Sequence, residues 1–149
     1  MPKNYDVQFD IKPQGKVGGW SNILHLTNDG KNCCNYGQRI PGIWFWPNKL
    51  KVHVRDGDSK NGNHGCDPSQ QLALHKWTNV RVEIRDRTTK VFYDNKEVCK
   101  RNVGANRRRE FTNVQVFSGN PWDPAADATI KNMRVYDQNS ELCQPPSPI

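Results

Sequence analysis

Apolar and polar residues alternate with a period of two in many short segments of the chain, and turn-forming residues follow each segment. The clearest example runs from Tyr5 to Ile11 and stops at Pro13 and Gly15. Such alternation is typical of strands with one buried face, whereas no segment keeps a helical apolar stripe over about ten residues. The pattern predicts an all-β protein with strands near 5–11, 23–26, 42–46, 50–54, 80–84, 91–93, 97–99, 114–117 and 130–136.

The turns between these segments predict which strands pair. Two segments joined by Pro47 and Asn48 are interpreted as a hairpin, and a long polar loop over 56–67 follows them. Three later segments are separated by polar turns, the tighter of which contains Asp94 and Asn95. They predict a meander of three antiparallel strands.

Length and composition fit one folded domain. The 149 residues include five Trp, five Phe and four Tyr, which supply large buried surfaces although the hydrophobic fraction is only 34%. We expect one domain over 1–144 and a Pro-rich tail over 145–149 that cannot join a central strand. No apolar run approaches the roughly 20 residues that cross a bilayer, so membrane insertion is not expected. The first residues lack the apolar stretch of a signal peptide. This is the pattern expected of a mature form to which a Met has been added.

Five cysteines are more than a cytosolic chain of this length usually carries, and their spacing matches no paired zinc-ligand pattern. We interpret them as disulfide cysteines and expect a secreted, extracellular protein. The adjacent residues Cys33 and Cys34 bond either each other or separate partners. Because five is odd, at least one thiol is free or pairs with another chain, which leaves an oligomer open.

The net charge of +7 is concentrated in two basic runs, Lys100-Arg101 and Arg107-Arg108-Arg109. Our first interpretation is that these runs are solvated loops. The alternative is that they bind a polyanion such as an acidic polysaccharide. Nucleic acid is not expected as a partner, because no aromatic residue is interleaved with the basic ones.

The late segments WTNVRVEI (77–84), VFYDNKEV (91–98) and IKNMRVY (130–136) resemble the late strands of concanavalin A-like jelly rolls, including laminin-G and pentraxin domains. The earlier segments YDVQFDIKP and WSNILHL are also similar to that superfamily. YGQRIPGIWF and NPWDPAADA resemble a subgroup in animal, largely invertebrate, secreted proteins. The resemblance implies an antiparallel β-sandwich with ligand sites on the concave sheet or on rim loops. Galectin residues do not carry over, because Arg55 stands where the galectin motif requires Asn.

A segment between two predicted strands has the residue types that sugar recognition needs, namely an apolar ring and fixed hydrogen-bonding groups. Pro121 and Pro124 limit its backbone freedom and so reduce the entropy lost on binding. A competing interpretation is that its tryptophan closes one end of the sandwich. The candidate ligand-binding residues in this segment are Asn120, Trp122, Asp123 and Asp127.

The polar loop over 56–67 is a second candidate. Its many oxygen ligands suggest calcium, but Lys60 occupies the third expected ligand position and no Glu closes the loop. We therefore assign no metal or cofactor and expect the loop to touch sugar hydroxyls through Asn63, His64 or Asp67.

Arg39 and two tryptophans complete the candidates. Arg39 precedes Ile40-Pro41, so its guanidinium could clamp a sugar hydroxyl or carboxylate from a rigid rim. A buried ion pair is the alternative for this residue. Trp44 and Trp46 share one face of a predicted strand, where a ligand could reach them, but we favour core packing for both.

Paired carboxylates that could hydrolyse a glycosidic bond are missing from the predicted strands. Glu83 and Asp86 are an odd number of residues apart and would point to opposite faces, while Asp56 and Asp58 lie in a loop. We expect a lectin that binds glycans or glycoproteins without turnover. The alternatives are a secreted matrix or protein-interaction domain without sugar affinity and, third, a polysaccharide-active enzyme.

Overall fold

The computed structural model describes residues 1–138, which form two packed antiparallel β-sheets. The all-β jelly-roll sandwich predicted from the sequence is confirmed. No helix in this range is long and apolar enough to cross a membrane. The strands are β1 (Tyr5–Pro13), β2 (Ser21–Thr27), β3 (Gly42–Phe45), β4 (Val52–Arg55), β5 (Gly65–Cys66), β6 (Thr78–Ile84), β7 (Thr88–Tyr93), β8 (Lys96–Asn102), β9 (Gln115–Phe117) and β10 (Ala128–Asp137).

Each sheet contains five strands. The back sheet has the order β10-β1-β6-β7-β8, and the front sheet has the order β5-β4-β3-β2-β9. The predicted hairpin is confirmed by the pairing of β3 with β4, in which Phe45 lies opposite Val52. The predicted meander is confirmed by the successive antiparallel pairs β6-β7 and β7-β8.

The core lies between the two sheets and is built by the alternating residues that the sequence pattern singles out. On β1, the side chains of Val7, Phe9 and Ile11 are completely buried. Ile43 and Phe45 contribute from the front sheet to the same apolar cluster. Burying an aliphatic or aromatic side chain of this size contributes about 1.5–3 kcal/mol, so this cluster is the main source of stability.

Two departures from the predicted strands have an identifiable cause. β7 starts at Thr88, three residues before the strand predicted near 91–93. The reason is long-range, because the hydroxyl of Thr89 is buried and donates to the carboxylate of Asp56 at 2.7 Å. β5 consists of only Gly65–Cys66 within the predicted loop, and it pairs with β4. Two residues are too few to produce an alternating pattern.

The four cysteines within residues 1–138 pair with one another, in agreement with their interpretation as disulfide cysteines. Cys66 on β5 is bonded to Cys99 on β8, which links an edge strand of the front sheet to an edge strand of the back sheet. Cys33 and Cys34 are bonded to each other. Cys143 and the predicted tail at 145–149 lie outside the described residues.

Candidate functional site

The outer face of the front sheet carries aromatic and imidazole side chains instead of the usual mixture of exposed polar residues. Ile43 and Phe45 on β3 point into the core, so Trp44 between them points outwards. The ring of Trp44 lies 5.3 Å from that of His25 on β2 and 5.8 Å from that of His53 on β4. The predicted burial of Trp44 is confirmed, since it is 3% exposed, but it lies outside the core cluster and is covered by groups of the outer face.

A cavity of about 310 Å³, here called the aromatic cavity, opens on this face. Trp20, immediately before β2, is its most exposed ring, at 37%. That ring packs against Trp46 and His53, with centroids 4.7 and 4.6 Å away. The cavity is lined by Trp20, Cys33, Cys34, Arg39, Trp44, His53, Asn63 and Asp123.

The carboxylate of Asp123 is held in the aromatic cavity by a turn that starts at Asn120. The side-chain oxygen of Asn120 accepts hydrogen bonds from the backbone N–H groups of Trp122 and Asp123, at 3.1 and 2.9 Å. One carboxylate oxygen, Oδ2, accepts from Trp44 Nε1 at 2.9 Å and from Asn120 Nδ2 at 3.2 Å. The other oxygen accepts no hydrogen bond from residues 1–138.

Arg39 lines the same cavity and is also held in place. Its Nε donates to the carbonyl of Asn32 at 3.0 Å and its Nη1 donates to Asn63 Oδ1 at 2.7 Å. The guanidinium lies 4.5 Å from the centroid of the Trp44 ring. No carboxylate within the described part of the chain forms an ion pair with Arg39, so the alternative of a buried ion pair is wrong. The guanidinium is hydrogen-bonded by neutral groups, and the carboxylate of Asp123 interacts with its charge from beyond ion-pair distance.

Asp67 supports the cavity from behind and does not line it. Its carboxylate accepts from Nδ1 of His53 at 2.9 Å and from Nη1 of Arg55 at 2.8 Å. Burial alone would raise the pKa of Asp67, but the hydrogen bonds to His53 and the charge of Arg55 lower it. Burial lowers the pKa of His53, which favours the neutral ring. With Nδ1–H donated to Asp67, Nε2 of His53 is an acceptor.

The basic run Arg107-Arg108-Arg109 is not the solvated loop that the sequence suggested. Arg108 is only 6% exposed and donates to the buried carboxylate of Asp56 and, at 2.7 Å, to the carbonyl of Gly57. Arg107 donates to Asp58 at 2.8 Å. Only the Arg109 side chain stays exposed, next to Tyr36. Two of the three charges are therefore compensated by aspartates and are unavailable to a polyanion.

The same contacts explain the order of the loop over 56–67. Its three acidic side chains, Asp56, Asp58 and Asp67, are bound by arginines, and His64 Nδ1 lies 3.2 Å from Asp56 Oδ1. Across residues 1–138, no group of three or more His, Cys, Asp or Glu side chains could hold a metal ion. The loop thus owes its shape to ion pairs and turns.

The structure brings together some of the predicted site residues and separates others. Arg39, Asn63 and Asp123 line the aromatic cavity, while Asn120 and Asp67 hold its walls. Trp122 is 39% exposed beside the cavity, against His25 and Phe117. His64 faces a different cavity. Asp127 lies at the end of β1, where its carbonyl accepts from the amides of Gln14 and Gly15.

Sequence reasoning missed Trp20 and His53 as cavity residues. For Trp20, the preceding pair Gly18-Gly19 indicates flexible backbone before the strand, which does not tell whether the ring is buried. For His53, alternation with Val52 and Val54 gives an outward direction. Neither signal indicates that the two rings meet.

Protonation of His25 is expected to destabilise the fold. Burial lowers the pKa of His25 below its ordinary value of 6.5, and Nδ1 accepts a hydrogen bond from Asn120 that a protonated ring cannot accept. The unfolded state therefore binds this proton more tightly, so the stability contribution is complete above pH 6.5 and is lost as the pH falls below it. In urea titrations, we expect a lower midpoint at about pH 5 than at about pH 7.5.

The matched variants are His25→Gln and His75→Gln, since His75 is exposed. His25→Gln should reduce the difference between the two midpoints without abolishing it, because His53 also has a lowered pKa. An undiminished difference in His25→Gln, or an equal reduction in His75→Gln, contradicts this assignment.

No protein-family model matches the chain, and no curated protein sequence matches it. Similar solved structures include a mutant of Trypanosoma rangeli sialidase displaying trans-sialidase activity, with TM-score 0.63 and 14% identity. Trypanosoma rangeli sialidase in complex with sialic acid is also similar, with TM-score 0.62 and 16% identity. These matches cover 89% of this chain and 20% of the sialidase chains, so the chain spans about a fifth of their length. At such identities the likeness shows the β-sandwich fold alone.

Proposed function

We propose that the protein is a secreted lectin that binds a saccharide in the aromatic cavity. The observation that carries this proposal is the meeting of an exposed Trp20 ring with the polar groups of Asp123 and Arg39 in one concave site. A pyranose has an apolar C–H face that packs on an aromatic ring, and its hydroxyls need both acceptors and donors. The carboxylate of Asp123 supplies acceptors, and the guanidinium of Arg39 supplies donors.

Preorganisation of the polar groups supports binding further. Asp123 is fixed by Trp44 and Asn120, and Arg39 is fixed by Asn32 and Asn63. Side chains that are already ordered lose little rotamer entropy when a ligand binds, and each immobilised flexible side chain would otherwise cost about 0.5–1.5 kcal/mol. The site therefore suits a small polar ligand that offers many hydrogen bonds.

The arrangement of carboxylates favours binding over hydrolysis. Glycosidases of the common kind act with two carboxyl groups on either side of the bond, whereas Asp123 is the single carboxylate lining the aromatic cavity in the described chain. Asp56 and Asp58 are occupied by Arg108 and Arg107. The sialidase structures that share the fold include one in complex with sialic acid. This supports a carbohydrate-related role for the present chain, which matches about a fifth of the sialidase. The two intrachain disulfides support an extracellular location.

A glycan array of the purified chain tests the proposal, run with and without EDTA. We expect retention of a limited set of glycans with equal signals in both arms, because the aspartates of the polar loop are bound by arginines. Glycans eluted from the protein should be unchanged in mass. Absence of binding across the array would favour the interaction-domain alternative, loss of signal in EDTA would indicate a metal, and shortened glycans would indicate catalysis.

A further inference from the structure

A second cavity, of about 570 Å³, lies where the edge strands β5 and β8 of the two sheets meet, and is here called the edge cavity. The disulfide between Cys66 and Cys99 joins these strands and fixes their separation. No carboxylate is among the residues that line it in the described structure. The lining groups with hydrogen-bond donors include Arg55, Lys100, Arg101, Asn61, Asn63 and Asn102.

Two of the cations in the edge cavity are uncompensated. Arg55 is neutralised by Asp67 at 2.8 Å. Lys100 and Arg101 are exposed on β8, and neither forms a salt bridge with any residue of 1–138. Charged residues on an edge strand also discourage pairing with other sheets, but that role does not require a concave site lined by amide groups. Two free cations together with amide donors match the needs of an anionic group.

We propose that the edge cavity is an anion subsite that binds a carboxylate or sulfate group of an acidic glycan. The inference rests on the proposed function in one respect, namely that a saccharide carries the anion. Asn63 lines both the edge cavity and the aromatic cavity, and its side-chain oxygen accepts from Arg39. One oligosaccharide can therefore place a sugar ring beside Trp20 and a charged neighbour beside Lys100 and Arg101.

The test compares two double variants that remove the same charge. Lys100→Ser with Arg101→Ser removes the two unpaired cations of the edge cavity. Lys16→Ser with Lys76→Ser removes two exposed lysines outside both cavities. The probes are a heparin-derived hexasaccharide for sulfate and a hexagalacturonate for carboxylate, measured by calorimetry at low salt. We expect binding of at least one probe to weaken about tenfold in the first variant and less than about twofold in the control.

Three outcomes overturn the proposal: equal weakening in both double variants, an unchanged affinity in Lys100→Ser with Arg101→Ser, or no binding of either probe by the wild type. A single-stranded oligothymidylate is a further arm. Tighter binding of this polyphosphate than of both saccharides, with the same dependence on Lys100 and Arg101, would overturn the assignment to glycans.

Trp20→Ala separates the subsite from the proposed function. If both proposals hold, this variant also weakens the saccharide probes, because the sugar ring next to the anion loses its platform. If Lys100→Ser with Arg101→Ser weakens binding but Trp20→Ala does not, the anion subsite is supported and the assignment of the aromatic cavity fails.

Discussion

Replacing Arg108 with alanine is expected to lower the free energy of unfolding by about 3–5 kcal/mol, because it leaves a buried carboxylate without its counter-charge. The side chains of Arg108 and Asp56 are 1% and 0% exposed. Arg108 also donates to the carbonyl of Gly57 and to the hydroxyl of Thr89, both at 2.7 Å. This network joins the start of the polar loop to β7 of the back sheet, so its loss disturbs both sheets.

Urea denaturation followed by tryptophan fluorescence measures this loss. Arg109→Ala is the matched control, since it removes the same side chain one residue later, where the guanidinium is exposed over the rings of Tyr36 and Phe111. An exposed cation–π contact contributes about 0.5–1 kcal/mol, so the control should change stability by no more than that. A folded Arg108→Ala protein within about 1 kcal/mol of the wild type would refute the structural role of the pair.

The fold was predictable because strand alternation is local. Val7, Phe9 and Ile11 alternate with polar neighbours, and this local pattern is enough to identify them as buried. The turns at Asn48 and Asn95 indicate which strands pair. Both asparagines have positive φ, which is the backbone conformation that asparagine tolerates in tight turns. No knowledge of distant contacts is needed for these conclusions.

The polar network could not be predicted, because its partners are distant in sequence. Arg108 and Asp56 are 52 residues apart, and nothing near either residue indicates that the other is its partner. A run of three arginines therefore looked like a solvated loop. The pairing of Asp58 with Arg107, over 49 residues, was hidden in the same way.

The candidate site was predicted in part for a related reason. Asp123 was found because Pro121 and Pro124 mark an ordered segment between strands. Alternation with Phe45 correctly gives the sheet face from which Trp44 projects. It does not show that Trp44 is buried on the outer face, because that burial involves Asp123, 79 residues later. Local pattern indicates where a side chain points, and only the tertiary structure shows what covers it.

Replacing Trp20 with alanine is expected to weaken glycan binding about 30-fold or more while leaving the fold intact. An aromatic anchor at the centre of a binding site contributes about 2 kcal/mol or more, which corresponds to that factor. Trp20 is 37% exposed and lies immediately before β2, so its backbone is outside the paired strands of the front sheet. Titration calorimetry with the strongest glycan from the array measures the change, and urea denaturation checks stability.

Trp77→Ala is the matched control, because Trp77 is 40% exposed and lies outside both cavities, with Lys131 Nζ 4.0 Å from its ring centroid. Its replacement removes the same apolar area from the surface, so a general effect of an exposed tryptophan on binding would appear in both variants. Full affinity in Trp77→Ala and loss in Trp20→Ala would assign the platform to Trp20. Full affinity in both would move the site away from the aromatic cavity, and Trp122 against His25 would then be the next ring to replace, since it is exposed on the same face of the front sheet.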